Sequence, residues 1–175
     1  PGRVHAGLGH GVLDWMDQIG ARAESPMTLL AEYVRAVHSL LAGETVRTEG
    51  RYVRLRDVTL GRPPSPPPPL HVGAIRPRTL ALAGELADGV ILTADTTPEQ
   101  LRDARVVFDA ARRPGAAPGR VTVYLRHGSD PEAVAGAVRR TADAGADAVI
   151  LEPDPGADPV AHARFVGDVV RTRLG

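Results

Sequence analysis

Two stretches of this sequence bring together residue types that can hold an anion or move a proton. In Gly73-Ala74-Ile75-Arg76-Pro77-Arg78-Thr79, a glycine and two arginines follow the apolar run Leu70 to Val72, and a helical pattern begins at the proline. Proline fits the first helical position because its missing N–H is not needed there. A helix that starts so soon after a strand leaves its first N–H groups and the positive end of its dipole facing the space past the strand, where a phosphate is stabilised. Arg76 and Arg78 can add charge-assisted hydrogen bonds, and Thr79 a hydroxyl. Gly73 lets a ligand approach the backbone closely. The expectation is a phosphate cradle; its plain alternative is an ordinary strand-to-helix turn with solvated arginines. The second stretch is Gly7-Leu8-Gly9-His10-Gly11. It lacks the G-x-G-x-x-G spacing of a dinucleotide turn. His10 there could polarise a carbonyl or carry a proton, or be a turn histidine open to water.

Other chemistry is thin. His5, His38, His71, His127 and His162 show no metal-ligand spacing, no Ser/His/Asp set is visible, and the absence of cysteine excludes disulfides and thiolate metal sites. His71 is expected inside a strand, pointing to a helix layer. Trp15, the only tryptophan, is expected to pack below the site rather than stack on a ring. Arg126 and Glu152 would end later strands on the active side. Lys+Arg and Asp+Glu are 21 each, so no basic surplus points to nucleic acid. No apolar run approaches membrane-spanning length, and a cytoplasmic location is the default expectation.

The elements that must position these groups alternate. A strand ends in the Gly7 to Gly11 turn, and Ser25-Pro26 opens a helix with Met27, Leu30, Val34, Val37 and Leu41 on one side, closed by Gly43. Gly50 to Leu60 reads as a hairpin or extended excursion. Pro63 to Pro69, all proline but Ser65, is an extended connector to the strand at Leu70; its PxxP pattern is a weaker reading. After the helix opened by Pro77 comes the strand Gly89 to Leu92. Thr97-Pro98-Glu99-Gln100 has capping-box spacing and starts a helix carrying Leu101, Ala104, Phe108 and Ala111. Val121 to Leu125 is a strand by β-branched content. Asp130-Pro131 starts a helix with Val134, Ala137, Val138 and Ala142 inward; Ala148 to Leu151 is the next strand. Asp158-Pro159 opens the last helix, with Ala163, Val166, Val169 and Val170. Ala87-Asp88-Gly89-Val90-Ile91-Leu92 recurs as Ala146-Asp147-Ala148-Val149-Ile150-Leu151. Continuously apolar strands alternating with helices indicate an α/β fold with a parallel sheet, and the repeat favours part of a (β/α)8 barrel over an open sheet.

An ordered set of short motifs carries a family resemblance: Gly7-Leu8-Gly9-His10-Gly11, Asp14-Trp15-Met16, Gly20-Ala21-Arg22, Ser25-Pro26, Leu29-Leu30 with Glu32, Leu40 to Glu44, Gly50-Arg51-Tyr52-Val53, Val72-Gly73-Ala74 and Leu82 to Val90, with a looser echo at Ala144 to Pro153. The chain resembles the luciferase-like monooxygenase superfamily, most of all the branch that uses the deazaflavin coenzyme F420 and is similar to methylenetetrahydromethanopterin reductase. The resemblance implies a TIM barrel over residues 1–175 whose strands are the fourth to the eighth, the first three missing. It implies coenzyme F420, or FMN as the alternative, at the carboxyl ends of the strands. It places the coenzyme phosphate on Gly73, Ala74, Ile75, Arg76, Pro77, Arg78 and Thr79, and Gly7, Gly9 and Gly11 beside the coenzyme. The expected activity is hydride transfer or oxygen activation on a small organic substrate, in a protein expected to be a homo-oligomer. The competing expectation is a non-catalytic truncated barrel that binds a phosphorylated ligand or only associates with another chain.

Overall fold

A computed structural model describes residues 3–174, apart from the side chain of Val169, which lies outside the described residues. The elements run β1 (Ala6–Leu8), α1 (Leu13–Gln18), α2 (Pro26–Leu41), β2 (Val46–Glu49), β3 (Arg54–Val58), β4 (Leu70–Gly73), α3 (Pro77–Leu86), β5 (Gly89–Leu92), α4 (Pro98–Ala110), β6 (Arg120–Arg126), α5 (Pro131–Asp143) and β7 (Ala148–Glu152). The last helical stretch is α6 (Pro159–Arg164), a π-helical turn (Phe165–Val170) and α7 (Arg171–Leu174). Five strands form one parallel sheet in the order β1-β4-β5-β6-β7, and β2 and β3 form a separate antiparallel pair.

Local chemistry explains where the helices begin. α2, α3, α4, α5 and α6 each start on a proline. α4 has a complete capping box from Thr97 and Gln100, and Asp130 and Asp158 accept amide hydrogens at the starts of α5 and α6. Arg76, which precedes α3, makes no side-chain cap. The first amides of α3 are therefore left without the side-chain acceptor that its three successors carry.

Strand alternation sends Leu70, Val72, Val90, Leu92, Val121 and Val123 into one core with Leu30 and Val34 of α2, Leu80 and Ala83 of α3, and Leu101, Ala104 and Phe108 of α4. Each fully buried aliphatic or aromatic side chain there contributes about 1.5–3 kcal/mol. α3 and α4 approach closely at Gly84, where an added Cβ would lie 2.3 Å from the Phe108 carbonyl oxygen. The opposite face of the sheet, on the alternate residues, has no helical layer among the described residues: Tyr124 and Ile150 remain 36% and 41% exposed.

The internal repeat acquires a physical role here. Asp88 accepts the Leu70 amide on its carboxylate at 2.8 Å, while its own amide donates to the Leu70 carbonyl at 2.8 Å. Asp147 does the same to Val121, at 2.8 Å in both directions. Each aspartate thus fastens the start of its strand to the start of the preceding one.

Several expectations are corrected. The hairpin begins earlier than expected, at Val46, and Gly50 to Val53 form its turn, because Glu32 of α2 accepts the amides of Arg51, Tyr52 and Val53 at 2.8–2.9 Å. Those bonds hold the Glu32 carboxyl below its ordinary pKa, chiefly through Tyr52 and Val53. On α5 the inward positions are Val134, Ala135 and Thr141; Ala142 is exposed, because the helix is rotated from the expected register. Trp15 is 63% exposed on the six-residue α1, which buries none of its residues. His71 does sit within β4, but alternation with Leu70 and Val72 turns it away from the helix layer.

Candidate functional site

The carboxyl ends of the five parallel strands share one rim, where barrel proteins carry their chemistry. Leu8 pairs with Val72, so the turn beginning at Gly9 lies beside Gly73; next come the ends of β5 at Leu92, β6 at Arg126 and β7 at Glu152. The two stretches singled out in the sequence therefore meet on adjacent strands.

Past β4 the chain divides its polar groups sharply. Ala74 is buried and its amide continues the sheet, donating to the Ile91 carbonyl at 3.0 Å. Ile75, Arg76, Pro77 and Arg78 are all exposed. Among the described residues, the amides of Ile75, Arg76 and Arg78 have no protein acceptor, and neither arginine has an acidic partner. Three open amides, a helix start and two uncommitted guanidiniums make an electropositive edge suited to a phosphate. Thr79 does not belong to it. Its amide donates to the Arg76 carbonyl, and its buried hydroxyl points at the Met27 sulfur, 3.5 Å away, between α3 and α2.

The glycines of this rim separate into two kinds. Gly11 has φ of 73° and its added Cβ would strike Met16, so the fold itself requires glycine there. Gly9 and Gly73 have room: an added Cβ finds nothing within 4 Å at Gly9 and only the Leu8 carbonyl oxygen at 3.8 Å at Gly73. The fold therefore leaves space for a side chain at both positions. Gly7 is intermediate, with the Ile91 side chain 3.4 Å from an added Cβ.

His10 is half-buried, and its Nδ1 lies 2.8 Å from the Gly11 carbonyl. With the proton on Nδ1 donated to that carbonyl, Nε2 is left as a hydrogen-bond acceptor. The imidazole lines a cavity of about 490 Å³ with Leu13, Met16, Leu29 and Tyr33. Ile75 and Pro77 line a different cavity of about 430 Å³, against Thr93, Asp95 and Gln100. His10 and the β4 turn share the rim but not one pocket.

Arg126 and Glu152 end their strands on this rim and pair at 3.5 Å, as Arg126 does with Asp95 beyond β5. That chain of charges ties three strand-end loops together. Asp95 gave no sequence signal, because nothing in the spacing of residues 95, 126 and 152 announces that parallel pairing brings them together.

Fold and rim together define a class: a parallel (β/α) protein with an electropositive edge of open amides and arginines at the carboxyl ends of its strands. Comparison with known proteins narrows this. Residues 1–150 match the family model described as luciferase-like monooxygenase, and the chain belongs to that family. It is 29% identical to the 5,10-methylenetetrahydromethanopterin reductase of Methanolobus tindarius, over 99% of this chain and 55% of that protein. It is 34% identical to an F420-dependent glucose-6-phosphate dehydrogenase of Nakamurella multipartita, over 59% of this chain and 31% of that protein. An F420-dependent hydroxymycolic acid dehydrogenase of Mycobacterium tuberculosis is also 34% identical, over 82% of this chain and 40% of that protein. The chain thus spans about half, or less, of the length of these relatives. Among solved structures, it shares its fold with the coenzyme F420 dependent tetrahydromethanopterin reductase of Methanopyrus kandleri. The TM-score is 0.77 at 18% identity, over 99% of this chain and 75% of that one. An F420-dependent secondary alcohol dehydrogenase, solved with an F420-acetone adduct, gives a TM-score of 0.80 at 16% identity, over 98% and 71% of the two chains. The expected α/β fold, a five-strand part of a TIM barrel, is therefore present.

Proposed function

We propose that this chain is the coenzyme-anchoring part of an F420-dependent oxidoreductase that transfers a hydride between the deazaflavin and a small organic substrate. The observation that carries this reading is the open row of amides at Ile75, Arg76 and Arg78 beside two arginines without acidic partners, at the rim where the parallel strands end. The names of the relatives support the choice of F420 over FMN, and of hydride transfer over oxygen activation.

The donor set suits the phosphate of such a coenzyme: the amides and guanidiniums supply hydrogen bonds and positive charge, and the Asp95 carboxylate across the adjoining cavity is paired with Arg126. Gly73, with the Ala74 backbone, allows close approach; Pro77 sets the helix start; Thr79 contributes packing rather than its hydroxyl. Gly7, Gly9 and Gly11 leave the neighbouring strand end low enough for a flat ring system to lie beside it. Bound there, the deazaflavin supplies or accepts the hydride. His10, its Nδ1 held on the Gly11 carbonyl, presents Nε2 as the group that takes or returns the substrate proton.

Titration with F420 and with FMN, followed by coenzyme fluorescence, tests the proposal. F420 is expected to bind more tightly. Replacing Arg76 and Arg78 together by alanine is expected to weaken it by about 1.5–3 kcal/mol for each charge-assisted hydrogen bond removed. Binding of neither coenzyme, or an affinity unchanged in the double variant, rejects the anchor.

A second reading has its own observation, the sheet face on which Tyr124 and Ile150 stay exposed. Such a face and two open strand edges favour association with a second copy or with further βα units. Sedimentation that shows only monomer at high concentration refutes self-association.

A further inference from the structure

At the opposite end of the sheet, beneath the amino ends of β4, β5 and β6, lies a cavity of about 370 Å³. It falls in the size range of small-molecule sites. Six titratable or charged groups face it: His5 before β1, His38 on α2, His71 on β4, Asp88 before β5, Arg112 after α4 and Arg120 opening β6. Pro67, Pro68 and Pro69 of the connector, with Leu41, Ala117 and Pro118, form an apolar wall.

The polar lining has unmet hydrogen-bonding capacity. His71 is 2% exposed; its Nε2 meets His5 Nδ1 at 3.1 Å, and its Nδ1 has no partner among the described residues. Burial, with His5 and Arg120 nearby, holds its pKa below the ordinary value. Arg112 donates to the carbonyls of Ala87 and Ala117, yet its buried Nε–H has no acceptor among the described residues. Arg120 has no acidic partner among them. The one carboxylate, Asp88, is already engaged by the Leu70 amide and lies 4.0 Å from His38. The balance favours an anion, and the proline wall favours an apolar body attached to it.

We propose that this cavity binds a small organic carboxylic acid, its carboxylate on Arg120 and His71 and its apolar body against Pro67, Pro68 and Pro69. The site is separate from the coenzyme rim and does not depend on the proposed activity.

NMR titration of the coenzyme-free chain with benzoate, benzyl alcohol and inorganic phosphate as separate probes tests this. Benzoate is expected to shift the Gly89 and Arg120 amides saturably. Arg120→Ala is expected to weaken it by about tenfold or more, as removal of one charge-assisted hydrogen bond requires, with Arg120→Lys retaining part of the affinity. Arg120 is exposed, so both variants should keep the parent spectrum; if Arg120→Ala does not, Arg120→Lys alone decides, by weakening or not. No saturable shift, or equal affinity in the variants, overturns the site. Equal binding of benzyl alcohol overturns the role of the carboxylate, and equal binding of phosphate overturns that of the apolar wall. A failure here leaves F420 binding at the other end of the sheet untouched.

Discussion

Replacing Asp147 by alanine removes an acceptor that two donors share. Its Oδ2 receives the amide of Val121, which is fully buried, and Nη1 of Arg105, both at 2.8 Å. A hydrogen bond from an amide to a carboxylate contributes about 1.5–3 kcal/mol, and alanine leaves the buried N–H without an acceptor. The ion pair adds less: the side chain of Asp147 is 43% exposed and Arg105 keeps Asp109 at 2.7 Å, so about 0.2–1 kcal/mol is appropriate. The expected loss is about 2–4 kcal/mol. Asp147→Asn retains an uncharged acceptor and should cost roughly half as much. Asp88→Ala breaks the equivalent bond to Leu70 without an arginine, His38 being 4.0 Å away, so it should cost about 1.5–3 kcal/mol. Urea unfolding of the three variants measures this through the midpoint at constant slope. In about 1 M salt, where the Debye length is near 3 Å, the gap between Asp147→Ala and Asp88→Ala should shrink. If both alanine variants unfold within about 0.5 kcal/mol of the parent, the range of an ordinary surface change, the repeated aspartates do not fasten the strands. If asparagine costs as much as alanine, the bond's charge is irrelevant.

Other substitutions have equally definite outcomes. Gly84→Ala places a Cβ 2.3 Å from the Phe108 carbonyl; forcing α3 and α4 apart should cost about 1–3 kcal/mol in thermal or urea unfolding. Gly73→Ala has space in the fold, so it should leave stability within about 0.5 kcal/mol while weakening F420 binding, and a loss of both would show that Gly73 serves packing instead. Glu32 has a folded-state pKa below its unfolded one, owing to the amides of Tyr52, Val53 and Arg51. Its contribution is therefore present above the unfolded pKa and lost as pH falls through the folded value. Amide exchange of Tyr52 and Val53 should accelerate on acidification, and Glu32→Gln should remove much of that pH dependence.

Sequence alone settled what is local here. Proline and its neighbours set the helix starts at residues 26, 77, 98, 131 and 159, because an N-terminal proline and a capping side chain act over one turn. Continuous apolar runs marked the parallel strands at Leu70, Gly89, Val121 and Ala148, as strands covered by crossover helices read, although Tyr124 and Ile150 on the other face stay exposed. The exposed, arginine-bearing helix start after Gly73 was visible for the same reason: glycine, arginine and proline there sit within seven residues. Tertiary structure decided everything that depends on which way a side chain turns and what distant segment meets it. Helical phase placed Thr79 against Met27 and Ala142 in solvent; strand alternation sent His71 away from the helices; the shortness of α1 left Trp15 uncovered. The repeated aspartates were visible as a pattern, yet their work on Leu70 and Val121 required parallel register across 18 and 26 residues of chain. Local rules act over a few bonds, whereas such pairings exist only once the sheet has closed the distance.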